Sequence, residues 1–434
     1  MELLRRLWRA FDGLAHDTLW TAAHDGLATI TAMVSFLAIT SVYENDPGTY
    51  GAFVAVYGVV GPLGSMTFAG PGMALIQRRV RFGDRLDDLI GSFLAVALGL
   101  GVVSSIIAIT FAALFIDLST LEVGLIVISE LFFNSFIFVC GMLRQAAGRY
   151  PDMIRTKIGT VLLKLVAVAT LYPTGNLTIR NLAAAYVVLY GTYAMTMLFV
   201  VLPRDGYNVR LRRPTRNAVT TSAVFSVPLA AASLQSDGDK VSLSAFNFDA
   251  QAGLYAAAYR LVFFGSLPLN VIGQAAFHRF LPEGDDGRNN YHLRRAAKLT
   301  AFMFVVALAT SAALYLALPV LQALLLRGRF TEAVEIVPWL LLFLPLLALS
   351  GTPMNGLLGL GRATERAAVY VSSAIVSIAL YMLLIPGRGW QGAVMATLGS
   401  EAYLAVASWV AMIYYQRLAD RNSVGRSPTL VPQV

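Results

Sequence analysis

Apolar stretches of about twenty residues, the length that crosses a bilayer as a helix, recur along the chain with short polar interruptions. They predict twelve membrane spans: 19–42, 50–76, 89–116, 124–143, 158–175, 181–202, 218–246, 250–277, 299–325, 336–359, 367–386 and 390–415. Charge tests that count. With the N-terminus in the cytoplasm, the outer loops hold only Arg180, Arg327, Arg329 and Arg388, while Lys164, Lys240 and Arg260 fall inside spans. Every other Lys and Arg of the 33 then lies on the inner side, as the positive-inside rule requires. Both chain ends are therefore expected in the cytoplasm.

Ahead of the first span, residues 1–17 place Leu3, Leu4, Leu7, Trp8, Phe11 and Leu14 at helical spacing, with Arg5, Arg6 and Arg9 between them. This segment reads as an amphipathic helix in the membrane interface or as a solvated basic leader. The first apolar run starts late and no small-residue cleavage site follows a short core, so a retained first helix is expected.

The pattern also repeats. Gly51, Ala55, Tyr57 and Val60 recur as Gly253, Ala257, Tyr259 and Val262, each 202 residues later. Gly148-Arg149, Pro173 and Tyr190 recur as Gly361-Arg362, Pro386 and Tyr403, each 213 later. Ordered matches with the same topology predict two six-helix lobes of parallel orientation, 18–202 and 218–416, which is a transporter architecture. Between them, the Arg- and Pro-bearing stretch 203–217 is expected as a cytoplasmic linker, and 417–434 as a cytoplasmic tail.

Composition narrows the class. A chain of 434 residues that is 57% hydrophobic and 13% charged is an all-α polytopic membrane protein rather than a soluble enzyme. One Cys and four His leave no disulfide and no expected metal site, and no cofactor motif is found. Nucleic-acid binding is excluded because the basic residues behind the +8 net charge are scattered between spans. No phosphate-loop motif points to ATP, and no large outer loop could carry a glycosyltransferase or polymerase site.

Within the spans stand Asp25, Glu130, Lys164, Asp237, Asp239, Lys240, Arg260 and Glu401, with His24 beside the first. An intramembrane charge is costly, so these groups are expected to face partners or a hydrated cavity. Asp237 and Lys240 are three apart and can pair, whereas Asp239, adjacent to Lys240, is expected to point elsewhere, with Arg260 as its candidate partner. Arg260, Asn270 and Gln274 form a polar stripe on span 8, read as a cavity wall or as a neutraliser of Asp239 or Glu401. Glu130 aligns with Asn134, and Lys157, Thr160 and Lys164 share a face, so Glu130 and Lys164 form either a structural or a functional pair. Asp25, Asp239, Glu401 and Glu130 are the protonatable candidates, and His24 is a proton carrier or a capped interfacial residue. Gly26 and Pro228, equivalent under the repeat, mark expected bends in spans 1 and 7. The asymmetry of the charges places the charged surface on spans 7 and 8.

Asp239-Lys240-Val-Ser-Leu followed by Gly253-Leu-Tyr-Ala-Ala-Ala-Tyr-Arg-Leu261 resembles the Asp-Arg-hydrophobic and Gly-hydrophobic-Tyr-small-small-Ala-Tyr-Arg pattern of bacterial polysaccharide (O-antigen, Wzx-type) flippases. Tyr50-Gly-Ala-Phe53 and Phe68-Ala-Gly-Pro-Gly72 are similar to that family too, which lies within the multidrug/oligosaccharidyl-lipid/polysaccharide (MOP) exporter superfamily. Lys240 stands where the family has arginine, which weakens a bidentate phosphate contact. The resemblance implies a MATE-like fold in the bacterial inner membrane and the flipping of an undecaprenyl-pyrophosphate-linked oligosaccharide. Arg260, Lys240, Lys164, Gln274 and Asn270 would contact the anionic substrate. Coupling to protons or sodium, contact with membrane lipids, and a polymerase and glycosyltransferases as partners follow from the same resemblance. A multidrug exporter of the superfamily is the rival reading.

Overall fold

In hydrocarbon each backbone N–H and C=O must be satisfied within its own segment, so apolar runs of this length fold as helices. The computed structural model describes residues 24, 26–207, 210–277, 291–323 and 331–424, and no strand occurs among them. The leader 1–17 and Asp25 lie outside the described residues.

The helical runs follow the expected spans in order. They are α1 Gly26–Val42, α2 Pro47–Val80, α3 Leu89–Phe115, α4 Thr120–Ala146, α6 Ile179–Arg204 and α7 Arg216–Ala245, with α5 Tyr150–Leu171 between α4 and α6. Next come α8 Asp249–Gly265, extended past a turn at Ser266 by Leu267–Phe277, then α9 Leu293–Leu321, α10 Glu332–Gly359, α11 Ala363–Arg388 and α12 Trp390–Arg421. Nine described helices are long and apolar enough to cross a membrane; α1 is apolar but shorter. The helix of α12 continues to Val424, into the stretch expected as tail. Helical pairing runs through Pro228, one of the expected bend points; the other, Gly26, opens the described part of α1.

Polar turns end these helices in specific ways. Asp46 caps α2 by accepting from the Thr49 amide at 3.0 Å, and its bonds to Thr49 hold its carboxyl below the usual range. The repeat reappears at two of these turns. Gly148 (φ 77°) donates to the Gln145 carbonyl at 2.9 Å and Arg149 to that of Arg144 at 2.8 Å. Gly361 (φ 71°) and Arg362 make the same two bonds to Leu358 and Leu357, both at 2.9 Å. Each arginine then pairs with the acid three residues on, Asp152 or Glu365. Positive φ at both turns is why glycine is repeated there.

Packing divides the chain into two compact units, Met1–Gly253 and Leu254–Val434. This division falls elsewhere than the 203–217 linker, because α7 packs on α2 within the first unit. Glycines of α2 line this contact and the one with the first turn of α8. A Cβ at Gly51 would lie 2.7 Å from the Gly253 nitrogen and closer still to the Asp249 carbonyl oxygen. One at Gly58 would lie 2.6 Å from Val241 Cγ2, and one at Gly70 2.8 Å from Ser226 Cα. The two glycines that head the 202-residue repeat thus meet each other. The linker is fastened to the same unit, since Asp205 accepts from buried Arg144 at 2.8 Å and pairs with Arg149 at 2.7 Å.

Gly51→Ala sets a methyl against backbone atoms that have no rotamer to yield. A loss of about 1–3 kcal/mol is expected, read as a lower unfolding midpoint of the purified protein; Gly99→Ala, where nothing lies within 4 Å of the new Cβ, is the control and leaves the midpoint unchanged.

Candidate functional site

Glu130 sits where α4 changes pitch. The helix passes through a π turn, Ile128–Asn134, a distortion that collects at functional sites. The Ser135 hydroxyl donates to the Glu130 carbonyl at 2.7 Å, satisfying an acceptor of the widened turn. The side chain is buried, and three donors converge on its carboxylate. Asn134 Nδ2 donates to Oε2 at 2.6 Å, the Tyr57 hydroxyl of α2 donates to Oε1 at 3.4 Å, and Lys164 Nζ of α5 lies 3.3 Å from Oε1. Lys164 also stands 6.0 Å from the ring centre of Tyr186, which stacks on Tyr190 of the same helix, α6, at 5.5 Å. Tyr190 is fully buried and its hydroxyl meets no hydrogen-bond partner among the described residues. The Glu130–Lys164 pair expected from sequence therefore forms, at the centre of a cluster drawn from α2, α4, α5 and α6.

Sequence reasoning missed the tyrosines of this cluster. Their signal was present: two tyrosines one turn apart in an apolar span bring hydroxyls that need partners. Lys157, expected on the same face as Lys164, also meets α4, lying over the Phe138 ring at 5.6 Å.

The second unit repeats the scaffold without the charge. Tyr259 corresponds to Tyr57 under the 202 offset, and Phe343 to Glu130 under the 213 offset. Their rings lie 5.6 Å apart. An aromatic contact thus stands where the first unit has a phenol on a carboxylate.

On α7 the charges close on one another. Lys240 Nζ lies 3.0 Å from Asp239 Oδ1, 3.2 Å from Asp237 Oδ1 and 2.8 Å from the Ser236 carbonyl oxygen. The Lys240 amide also donates to Asp239 Oδ1 at 2.8 Å. Asp237–Lys240 pairing agrees with the spacing. The expectation that Asp239 points away from Lys240 is corrected: adjacent Cβ atoms do diverge, but the four-carbon lysine stem is long enough to curl back to its neighbour. Asp239 is fully buried and the Lys240 side chain is 5% exposed, so this ammonium is engaged within its own helix.

In the second unit, Arg260 is partly buried on α8 and Glu401 is buried on α12. Thr397, one turn before Glu401, shares a 3.0 Å hydrogen bond with the Tyr255 hydroxyl. Asn270 is exposed and donates to Ser266 Oγ at 3.2 Å. The Gln274 side chain and Asp25 lie outside the described residues, and His24 is half-buried at the start of the described chain. Among the described residues, no group of three or more His, Cys, Asp or Glu is placed to hold a metal ion.

An all-helical, multi-pass membrane protein with a repeated half is the class these features define. Its fold is that of the MATE transporters of the MOP superfamily. An inward-facing multidrug resistance MATE transporter superposes with a TM-score of 0.69 at 15% identity, covering 92% of this chain and 96% of that one. A MOP-superfamily transporter from Pyrococcus furiosus, described by the reverse polarity of its binding pocket, gives 0.64 at 14%, with 94% and 95% covered. The MATE multidrug transporter DinF-BH in complex with R6G gives 0.62 at 16%, with 93% and 96% covered. No protein-family model and no curated protein matches the chain.

Proposed function

We propose that this protein flips an anionic, lipid-linked oligosaccharide, of the undecaprenyl-pyrophosphate class, from the inner to the outer leaflet of the bacterial cytoplasmic membrane. The observation that carries this reading is the retention of basic side chains inside the apolar helices. Lys164 keeps 36% of its side chain exposed and Arg260 is only partly buried. A cation at the bilayer centre costs roughly 2.5–3.5 kcal/mol on insertion scales, and a diphosphate crossing that layer supplies the matching anion. A hydrated, cationic path would take the sugar and diphosphate while the lipid tail stays in the bilayer. Lys240, held by Asp237, Asp239 and Ser236, is left out of the anion-binding set; Asn270 and Gln274 extend it along α8.

The lobes 18–202 and 218–416 are proposed to rock about the site, joined by 203–217, with both termini cytoplasmic. An ion gradient drives the motion through Glu130, with Asp25, Asp239, Glu401 and His24 as further candidates. A polymerase and glycosyltransferases would act before and after the flip. The P. furiosus neighbour supports variation in pocket polarity within one fold.

The second reading, a multidrug exporter, is favoured by a different observation. Tyr255, Tyr259 and Phe263 stack along α8 at 6.2 Å spacings, and Phe263, 47% exposed at the end of the stack, offers a ring to a flat organic cation. Proteoliposomes loaded with a labelled lipid diphosphate oligosaccharide test the choice. Arg260→Ala is expected to lower flipping at least about tenfold, the loss of one charge-assisted contact. Full flipping by that variant, or export of rhodamine dyes with no flipping at all, rejects the anionic reading.

A further inference from the structure

Every contact that the structure gives the Glu130 carboxylate comes from a donor. Asn134 presents its amide nitrogen, Tyr57 its hydroxyl and Lys164 its ammonium. A hard metal cation needs the opposite lining, several oxygens offering lone pairs. We propose that Lys164 is a built-in cation: its ammonium stands where a free monovalent cation would neutralise Glu130, so this pocket does not bind sodium. The inference rests on the reading of Glu130 as the coupling group and excludes sodium as the ion that the group takes.

Lys164 is the more accessible member of the pair, its side chain 36% exposed against 9% for Glu130. The stem can carry the charge toward a polar medium, as long lysines do. Among the described residues, the other titratable groups facing the pair are Tyr57 from α2 and Tyr186 and Tyr190 from α6. α3, which also packs on this turn, has no titratable residue between Leu89 and Phe115. Lys164 is the cation recorded on the Glu130 carboxylate among the described residues.

The prediction is a gain of binding. Purified full-length protein is melted in sodium chloride and in choline chloride at equal ionic strength. The wild type shows the same midpoint in both salts. Lys164→Met removes the ammonium and opens the position before Glu130, so its midpoint rises in sodium by about 2–4 °C, the shift that saturating a weak site produces. Lys164→Met combined with Glu130→Gln loses the rise. Lys164→Gln serves in place of methionine if the latter fails to fold. A sodium-specific shift in the wild type that Glu130→Gln abolishes overturns the proposal, as does a folded lysine variant with no cation response. Because the readout needs no transported substrate, these failures are distinct from failure of the flipping reading, which proteoliposomes report.

Discussion

Replacing Lys240 with methionine is expected to cost the fold about 3–5 kcal/mol, the range for stripping one partner from a buried ion pair. Asp239 is fully buried, and the ammonium 3.0 Å away is its charge partner on the same helix. Without it the buried carboxylate loses its ammonium and keeps the bond from the backbone amide of residue 240. Asp237 suffers less, since its side chain is 40% exposed. The double variant Lys240→Met with Asp239→Asn removes both charges and is expected to recover most of the loss. Yield and unfolding midpoint of the purified variants measure both statements. A single variant that melts with the wild type would show that the charges on α7 contribute nothing to stability.

Glu130→Ala should produce the second-largest loss. It leaves the ammonium of Lys164, the Tyr57 hydroxyl and the Asn134 amide without their shared acceptor, at about 1–3 kcal/mol for each unsatisfied buried group. Lys164 is partly exposed and can turn toward a polar medium, so the total stays below the sum and below the Lys240 figure. A double-mutant cycle with Lys164→Met isolates the pair. A coupling energy of about 0.5–3 kcal/mol is expected, the range for residues in one network. Additive losses would mean that the 3.3 Å approach carries no net interaction.

The order of the helices was legible in hydropathy because the bilayer imposes length and composition together. It was legible even at α5 and α8, where Lys157, Lys164 and Arg260 dilute the apolar signal but leave the helical spacing intact. The repeat was legible through its glycines, since close backbone approach at Gly51 and positive φ at Gly148 and Gly361 admit no other residue comfortably. Side-chain reach was not. Spacing rules compare Cβ directions, and they separate Asp239 from Lys240 although the flexible stem closes the gap. The π turn at Ile128–Asn134 was equally silent, being a change of hydrogen-bond register with no residue type of its own. Weight placed on formal charge hid Tyr57, Tyr186 and Tyr190, whose hydroxyls and rings complete the site. On α7 the Lys240 ammonium reaches both Asp237 and Asp239, while Glu130 and Lys164 of α4 and α5 meet Tyr57 of α2 and Tyr186 of α6.

The glycine seam between α2 and α7 also has a thermodynamic character of its own. Where side chains interdigitate, parting two helices releases rotamers that had been frozen, and rejoining them freezes those rotamers again. Glycine has no rotamers, so on the α2 side, at Gly58 and Gly70, that side-chain entropy is nearly the same with the helices together or apart. Attraction along the seam then comes chiefly from short-range dispersion between backbones. Such a contact is stiff in register yet shallow in entropy, and its strength should change little with temperature compared with an interlocked leucine interface.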